Sequence, residues 1–191
     1  MAKTYPALTA ELKHWMTQQP VFFLASAPLQ ADGHVNLSPR GLDSLRITGD
    51  NEVAILDLTG SGNETAVHLH ENGRLTVMLC AFSGKPKILR LYGQGQVIQA
   101  GDATWNDYRQ LFATDLPGVR QIFVLRIARI QTSCGFGVPL MDFVSQRETL
   151  LDWARNKGPD GIEQYQHEKN AHSIDGLPAP GVTSDKSETV I

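Results

Sequence analysis

The apolar positions of this chain fall into short runs typical of β-strands, and the clearest run leads into a glycine turn and a helix. Residues 53–58 (VAILDL) form a nearly continuous apolar run, the pattern of a strand covered on both faces. A turn with two glycines follows at 59–62, and Asn63 is a suitable N-cap for a two-turn helix over 64–71. The next strand is predicted over 75–82, so this stretch is the unit around which the rest of the chain is organised.

A glycine turn that leads into a helix N-terminus is suited to binding a phosphate group. The first turn of a helix leaves backbone N–H groups without intrahelical partners at the positive end of the helix dipole. The same two glycines, Gly60 and Gly62, would also serve simply to make a tight connection. This stretch by itself leaves both interpretations open.

The remaining pattern favours an antiparallel barrel. An amphipathic helix is predicted over 9–18, and strands are predicted over 21–27 and 34–38, joined by a hairpin whose Asp-Gly step favours the turn. The other predicted elements are strands over 45–48, 87–99 and 121–131 and a helix over 103–112. Because the strands do not alternate regularly with helices, a doubly wound parallel sheet is disfavoured. The predicted fold class is mostly β with peripheral helices.

The pattern changes towards the C-terminus. Residues 1–145 carry the predicted barrel, and residues 146–191 form a second segment with two helical stretches, around 150–154 and over 161–170. The tail past Gly176 is rich in Pro, Gly, Ser and Thr, which is typical of extended or disordered chain. We therefore expect a barrel domain over 1–145 and a C-terminal helical segment with an extended tail over 146–191.

Composition and charge exclude several classes of function. The chain has 191 residues, and its 17 Lys and Arg against 20 Asp and Glu give a formal net charge of -3. No basic block is present that could follow a nucleic-acid backbone, so no nucleic-acid partner is expected. No apolar run approaches the roughly 20 residues that span a bilayer, and the first residues lack the apolar core of a signal peptide. The expectation is a cytoplasmic protein without a membrane segment.

Several common site motifs are incomplete or missing. Residues 60–65 lack the third glycine of a dinucleotide fingerprint, and no Walker loop or serine-nucleophile elbow occurs. His68 and His70 are two positions apart on the predicted helix, so they point in different directions and cannot ligate one metal together. Cys80 and Cys134 are the only cysteines and are expected to be buried free thiols. No metal site is predicted, and no catalytic residue is assigned.

Basic and hydroxyl residues gather at the ends of the predicted strands and at the helix start. A barrel brings strand ends together, so these side chains could converge on one phosphate group. The candidate cofactor-binding residues are Ser38, Arg40, Gly62, Asn63, Thr65, Lys87 and Arg90.

Six motifs in one order resemble the FMN-binding split barrels related to pyridoxamine 5'-phosphate oxidase. They lie between residues 22 and 139 and read FFLASAP, VNLSPRG, AILDLTGSGNET, ENGRLTVMLCAF, ILRLYGQGQV and SCGFGVP. The chain is most similar to a branch that also carries a tail like NAHSIDGLP, here residues 170–178. The resemblance implies a six-stranded split β-barrel that forms a homodimer and holds FMN at the subunit interface.

The resemblance also assigns roles to residues, with departures from the family pattern. The oxidase's phosphate-binding lysine falls on Arg40, and its Ser-Arg-Lys falls on Asn63, Glu64 and Thr65. A carboxylate would repel a phosphate, so we expect Glu64 to point away and the backbone amides, with Asn63 and Thr65, to do more of the binding. The oxidase's glutamine of the later strand falls on Ile88, and its C-terminal Arg and His for the pyridoxal substrate have no counterpart. Oxidation of pyridoxamine phosphate is therefore not expected.

The leading hypothesis is a homodimeric FMN-dependent oxidoreductase that acts on an unknown small organic substrate. The alternative is a non-catalytic flavin- or haem-binding protein built on the same barrel, and a third class is a structural dimer with an empty cleft. The dimer hypothesis depends on an apolar segment after the last strand. Phe136, Val138, Leu140 and Phe143 lie close together there, more apolar side chains than an exposed loop normally presents, and we expect them to pack against the partner subunit.

Overall fold

Eight strands form one curled antiparallel sheet in the computed structural model, which describes residues 2–182. The strands are β1 (Lys3–Tyr5), β2 (Phe22–Ser26), β3 (Asn36–Arg40), β4 (Leu45–Ile47), β5 (Glu52–Leu58), β6 (Arg74–Cys80), β7 (Ile88–Ile98) and β8 (Val119–Ser133). Their hydrogen-bonded order is β3-β2-β6-β7-β8-β5-β4, and β1 pairs with β8 beside this path. The predicted class, mostly β with a split-barrel sheet, is confirmed. The described sheet has eight strands where the resemblance implies six, because the three-residue strands β1 and β4 add to it.

Among residues 2–182, four helices lie around the sheet: α1 (Ala10–Thr17), α2 (Glu64–Asn72), α3 (Trp105–Arg109) and α4 (Thr149–Lys169). Thr9 caps α1, since its hydroxyl oxygen accepts the N–H of Leu12 at 3.2 Å. The helix α2 ends at Gly73, whose left-handed φ of 71° closes it as the sequence predicts. No helix among residues 2–182 is long and apolar enough to cross a membrane.

The helices α3 and α4 differ from their predicted bounds. The carboxylate of Asp102 accepts the N–H of Gln99 at 2.7 Å and so closes a turn before α3, while Thr104 takes the N-cap position. The guanidinium of Arg109 binds the carbonyl oxygens of the next turn, which ends α3 early. The helix α4 kinks at Gly158, where φ is 68°, and this kink separates the two predicted helical stretches.

Strand β5 is buried on both faces, as its continuous apolar run predicts. Val53 and Ile55 belong to a core that fills the inside of the curled sheet with α1 and α2. Ala54 and Leu56 face the opposite way, into a second core that includes Leu151 of α4. The C-terminal segment therefore packs directly on the barrel. The division at residue 145 stays a prediction.

Two expectations about exposed segments change in the structure. Cys80 is buried as expected, but Cys134 is exposed because it follows the end of β8. Of the predicted extended tail, residues 183–191 lie outside the described residues. Its described part is ordered, because it belongs to a turn that starts near residue 171.

The pairing of β7 with β8 is irregular at Gly93, where β8 has one extra residue, Ala128. The register shifts between Tyr92, which pairs with Arg129, and Gly93, which pairs with Ile127. A Cβ on Gly93 would overlap the carbonyl oxygen of Arg126 on β8. Glycine is therefore required here by the close approach of two backbones.

We expect Gly93→Ala to lower the free energy of unfolding by about 1–3 kcal/mol, because the methyl group forces the two central strands apart. Chemical denaturation monitored by circular dichroism measures this loss. Gly101→Ala is the control, since a Cβ there has no neighbour within 4 Å, and its change should stay within about 0.5 kcal/mol. Equal stability of the two variants would contradict the packing argument.

Candidate functional site

A cleft of about 750 Å³ opens where β3, the glycine turn and the start of α2 meet. Its volume lies within the range of small-molecule sites, roughly 300–1,000 Å³. Ser38 and Arg40 of β3, residues 60–65 and Arg120 of β8 line it. An apolar groove of about 820 Å³ adjoins it, shares residues 39–42 with it, and carries Phe23, Phe82, Phe143 and Trp153.

The carboxylate of Asp57, near the end of β5, is fully buried and holds two arginines. Its Oδ1 accepts from Nη1 of Arg40 at 2.7 Å, and its Oδ2 accepts from Nε of Arg120 at 2.9 Å. Gln121 adds an amide hydrogen bond to Oδ2 at 2.8 Å. Burial by itself would raise the pKa of Asp57, but the charges of Arg120 and Arg40 and the Gln121 hydrogen bond hold it below its ordinary value.

The guanidinium of Arg40 keeps N–H donors that are not used inside the described part of the chain. It uses Nη1 on Asp57, and within residues 2–182 its Nε and Nη2 make no hydrogen bond. Its side chain is 23% exposed and lines the cleft. Since Asp57 fixes the guanidinium in place, Arg40 presents oriented N–H groups to the cleft.

Arg120 is a site residue that sequence reasoning missed. Its side chain is nearly buried, and Nη1 donates to the carbonyl oxygen of Gly62 at 3.1 Å and to Oδ1 of Asn170 at 2.7 Å. Together with its bonds to Asp57, these contacts connect β5, the glycine turn and the C-terminal segment. The available signal was Asp57 itself, because an acidic residue inside an apolar strand requires a cationic partner.

The start of α2 is uncapped. Asn63 occupies the N-cap position, but its Oδ1 accepts from Gln121 at 2.7 Å, and its Nδ2 donates to the carbonyl oxygen of Asn170 at 3.5 Å. In the described part of the chain, the backbone N–H groups of residues 64–66 have no hydrogen-bond partner. These donors lie at the positive end of the helix dipole, beside the cleft.

The two glycines of the turn have room for a side chain. Neither Gly60 nor Gly62 has a positive φ, and an added Cβ would meet nothing within 4 Å at Gly60 and only ordinary contacts at Gly62. A tight connection therefore does not require glycine at either position. This observation favours the interpretation in which the turn leaves space for a bound group.

Glu64 lines the cleft, and its carboxylate is held by the C-terminal segment. Its two oxygens accept the backbone N–H of Ile174 at 3.1 and 3.2 Å. Burial raises the pKa of Glu64 above its ordinary value, although the hydrogen bond from Ile174 acts in the opposite direction. Thr65, one residue on, is buried and accepts from Nδ2 of Asn36 at 3.0 Å.

The structure brings five of the seven predicted site residues together, namely Ser38, Arg40, Gly62, Asn63 and Thr65. Lys87 and Arg90 do not line the cleft of their own chain. The Lys87 ammonium lies 5.2 Å from the centre of the Trp15 ring, and Arg90 donates to the Ser133 hydroxyl at 3.1 Å. The expected convergence therefore does not include these two residues within one chain.

The two histidines of α2 lie in different environments. His68 is fully buried with its Nδ1 3.0 Å from the hydroxyl of Ser26, whereas His70 is exposed. Burial lowers the pKa of His68, which favours the neutral ring. Within residues 2–182, no group of three or more His, Cys, Asp or Glu side chains is placed to hold a metal ion.

Comparison with known proteins gives one family. Residues 8–134 match the family described as pyridoxamine 5'-phosphate oxidase. The pyridoxamine 5'-phosphate oxidase family protein ustO of Aspergillus flavus is 38% identical over 205 aligned positions, which cover 97% of this chain and 81% of that protein.

Solved structures with this fold include the following two. A crystal structure of a HupZ variant from Group A Streptococcus has a TM-score of 0.55 at 17% identity, covering 66% of this chain and 99% of that one. A candidate pyridoxamine 5'-phosphate oxidase from Lactobacillus delbrueckii has a TM-score of 0.51 at 16% identity, covering 67% and 98%. At these identities the likeness concerns the fold alone.

We expect Asp57→Asn to destabilise the protein by about 3–5 kcal/mol, because it leaves the buried guanidinium of Arg120 and the partly buried guanidinium of Arg40 without their shared counter-charge. The pKa of Asp57 is lower in the folded than in the unfolded chain. The wild-type advantage is therefore complete above the unfolded value of about 3.9 and shrinks as the pH falls below it. Denaturant unfolding of both proteins across this pH range measures the effect.

The matched control for Asp57→Asn is Asp152→Asn, an exposed carboxylate paired with Arg155 on α4. Its unfolding free energy should change by less than about 0.5 kcal/mol. A loss at Asp57 as small as this, or one that does not change with pH, would show that the two arginines do not depend on the buried carboxylate.

Proposed function

Because the chain belongs to the pyridoxamine 5'-phosphate oxidase family, we propose that it is an FMN-dependent oxidoreductase acting on a small organic molecule. The observation that carries this proposal is the group of free donors at one end of the cleft. Arg40 has unused N–H groups, and the first turn of α2 is uncapped. Oriented guanidinium and helix-start donors suit a phosphate group.

The residues present fit a flavin phosphate. Arg40 and the amides of residues 64–66 would hold it. Ser38 lines the cleft beside them, with its hydroxyl donating to Oδ1 of Asn36 at 3.0 Å. Arg40 and Arg120 carry one positive charge more than Asp57 neutralises, and the carboxylate of Glu64 accepts the N–H of Ile174 in the C-terminal segment. The adjoining groove offers Phe23, Phe82 and Phe143 as packing surfaces for a flat ring system.

A bound isoalloxazine ring supplies hydride or electron transfer, and the protein contributes position and electrostatics. The buried Asp57 is occupied by its two arginines, so it is not available as a general base. The proposed substrate remains a small organic molecule, and the proposed compartment is the cytoplasm.

The proposal includes a homodimer with a flavin site at each interface. Phe136 is 81% exposed and Val144 is 91% exposed, and Leu140, Met141 and Phe143 between them are exposed as well. A contiguous apolar segment of this kind is typical of an interaction surface. Phe143 also lines the groove beside the cleft, so a partner seated on this segment would reach the ligand site. Lys87 and Arg90 would contact a flavin only from the partner subunit.

The purified protein tests the proposal directly. We expect it to show flavin absorption bands and, after removal of any bound cofactor, to bind FMN at one molecule per chain. Reoxidation of the reduced flavin by an organic acceptor would support turnover. A Soret band in place of the flavin bands would favour the haem-binding alternative, and a protein that binds neither cofactor would contradict the proposal.

Arg40→Ala should weaken FMN binding about ten- to a hundredfold, the effect of losing one charge-assisted contact to phosphate. Fluorescence titration with FMN measures the change. Arg129→Ala is the control, because Arg129 is exposed on β8 and contacts Gln131 instead of the cleft. Unchanged affinity in Arg40→Ala would remove this residue from the site.

Phe136→Asp should separate the dimer into monomers, because it places a charge in the middle of an apolar interface, a change that costs several kcal/mol at a central aromatic position. Light scattering measures the mass, and FMN should be lost with the dimer. Leu29→Asp is the control at an exposed leucine of the β2–β3 hairpin. A monomer that still holds FMN, in wild type or variant, would exclude an interfacial site.

A further inference from the structure

The chain after α4 forms an ordered turn, although the matched family region ends at residue 134. The N–H of Ala179 donates to the carbonyl oxygen of Ala171, and the N–H of Ser173 donates to that of Leu177, both at 2.8 Å. Gly176 has a φ of 79° at the tip, a conformation that suits glycine. We call residues 171–179 the C-terminal hairpin.

Asn170 joins this hairpin to the glycine turn beside the cleft. It is fully buried, and its Oδ1 accepts from Nη1 of Arg120 at 2.7 Å. Its Nδ2 donates to the carbonyl oxygen of Gly60 at 3.1 Å, and its backbone carbonyl accepts from Nδ2 of Asn63. One asparagine therefore fixes both ends of the turn that leads into α2.

The hairpin makes two more contacts at the mouth of the cleft. The N–H of Ile174 donates to the carboxylate of Glu64 at 3.1 Å. The carboxylate of Asp175 accepts from the backbone N–H of His34 at 2.9 Å and lies 2.6 Å from its Nδ1. The hydrogen bond with Asp175 raises the pKa of His34, and the same bond lowers the pKa of Asp175. The hairpin thus contacts α2 and the chain that enters β3, the two elements that carry the free donors.

These contacts also explain why α2 is uncapped. Asn63 directs its side chain to Gln121 and to Asn170, so it does not cap the N–H groups of its own helix. If the hairpin were displaced, the Asn63 amide and the Gly60 carbonyl would each lose the partner that holds the turn in its present shape. The donors at the start of α2 therefore depend on a segment more than 100 residues away in the sequence.

We infer that Asn170 is a positioning residue, through which the C-terminal hairpin sets the geometry of residues 60–65 for binding the phosphate of a ligand. The inference rests on the proposed function, because it takes a flavin phosphate as the group bound there. It assigns a role to the NAHSIDGLP motif, which the flavin proposal itself does not use. Asn170 contacts the turn and not the ligand. A change at Asn170 should therefore alter the affinity for a flavin that carries a phosphate group and not the affinity for a flavin without one.

Asn170→Asp tests this role. The carboxylate keeps an acceptor for Arg120 and replaces the donor to the Gly60 carbonyl with a second acceptor, which repels it and displaces the turn. We expect FMN affinity to fall about tenfold, the effect of losing one charge-assisted hydrogen bond, and riboflavin affinity to stay unchanged because riboflavin has no phosphate. His172→Ala is the control, since His172 is the exposed neighbour on the hairpin and should change neither affinity.

The results separate this inference from the proposed function. If wild type binds FMN better than riboflavin and Asn170→Asp keeps the same ratio, the inference is wrong while the flavin proposal stands. If wild type binds neither flavin, the proposed function fails. Hydrogen exchange of Val67, whose N–H bonds to the Asn63 carbonyl, then tests the positioning role alone. Faster exchange in Asn170→Asp than in wild type and His172→Ala supports it, and equal exchange overturns it.

A second variant keeps the test open if Asn170→Asp does not fold. Asp175→Ala removes the hydrogen bonds with His34, and the Asp175 side chain makes no hydrogen bond to residues 60–65, although its charge helps to raise the pKa of Glu64. It should also reduce the ratio of FMN affinity to riboflavin affinity, by a smaller factor than Asn170→Asp does. If a folded Asp175→Ala protein keeps the wild-type ratio of FMN to riboflavin affinity, the C-terminal hairpin does not set the geometry of residues 60–65 for phosphate binding.

Discussion

The cleft depends on one buried negative charge, the carboxylate of Asp57. An unpaired charge in this position would be strongly destabilising, so the fold must bring cations to it. Arg40 reaches it from β3 and Arg120 from β8. Each arginine then has a second role, since Arg40 keeps donors for the cleft and Arg120 binds Gly62 and Asn170. The contacts that neutralise the buried charge of Asp57 are therefore also the contacts that position Arg40 and the glycine turn at the cleft.

The sequence predicts the fold well where burial leaves a strong pattern. Residues 53–58 are apolar on both faces because two cores pack against β5, and such a run is hard to mistake. The hairpin β2–β3 forms, but not through a left-handed Asp-Gly turn: the connection runs over residues 27–35, and neither Asp32 nor Gly33 has a positive φ. The end of α2 does follow from local chemistry, because Gly73 takes the left-handed conformation. Strand β1 was missed because its three residues form a strand only by pairing with β8, more than 120 residues away. The early end of α3 likewise depends on where the Arg109 guanidinium folds back.

The site is predictable only in part, and for a physical reason. Ser38, Arg40, Gly62 and Thr65 lie in or beside β3 and the start of α2, and all four line the cleft. Their contact with a ligand stays a prediction. Arg120 and Asn170 were missed because their roles come from pairing across 63 and 110 positions. No local pattern encodes such a distance. Lys87 and Arg90 lie away from the cleft of their own chain, because a basic residue in or beside a strand indicates charge without indicating which surface it will reach. Their part in cofactor binding stays a prediction.

The uncapped start of α2 connects stability with ligand binding. A missing N-cap costs a helix about 0.5–2 kcal/mol, and here Asn63 could supply the cap but is held by Gln121 and Asn170. A bound anion would satisfy the same N–H groups, so the ligand would restore the stability that the missing cap removes. Neither glycine of the turn is required by backbone conformation, which agrees with a turn shaped for an occupant. Asn63 thus occupies the N-cap position but bonds to Gln121 and to Asn170 at the base of the C-terminal hairpin, which leaves the N–H groups of the helix start available for the proposed phosphate.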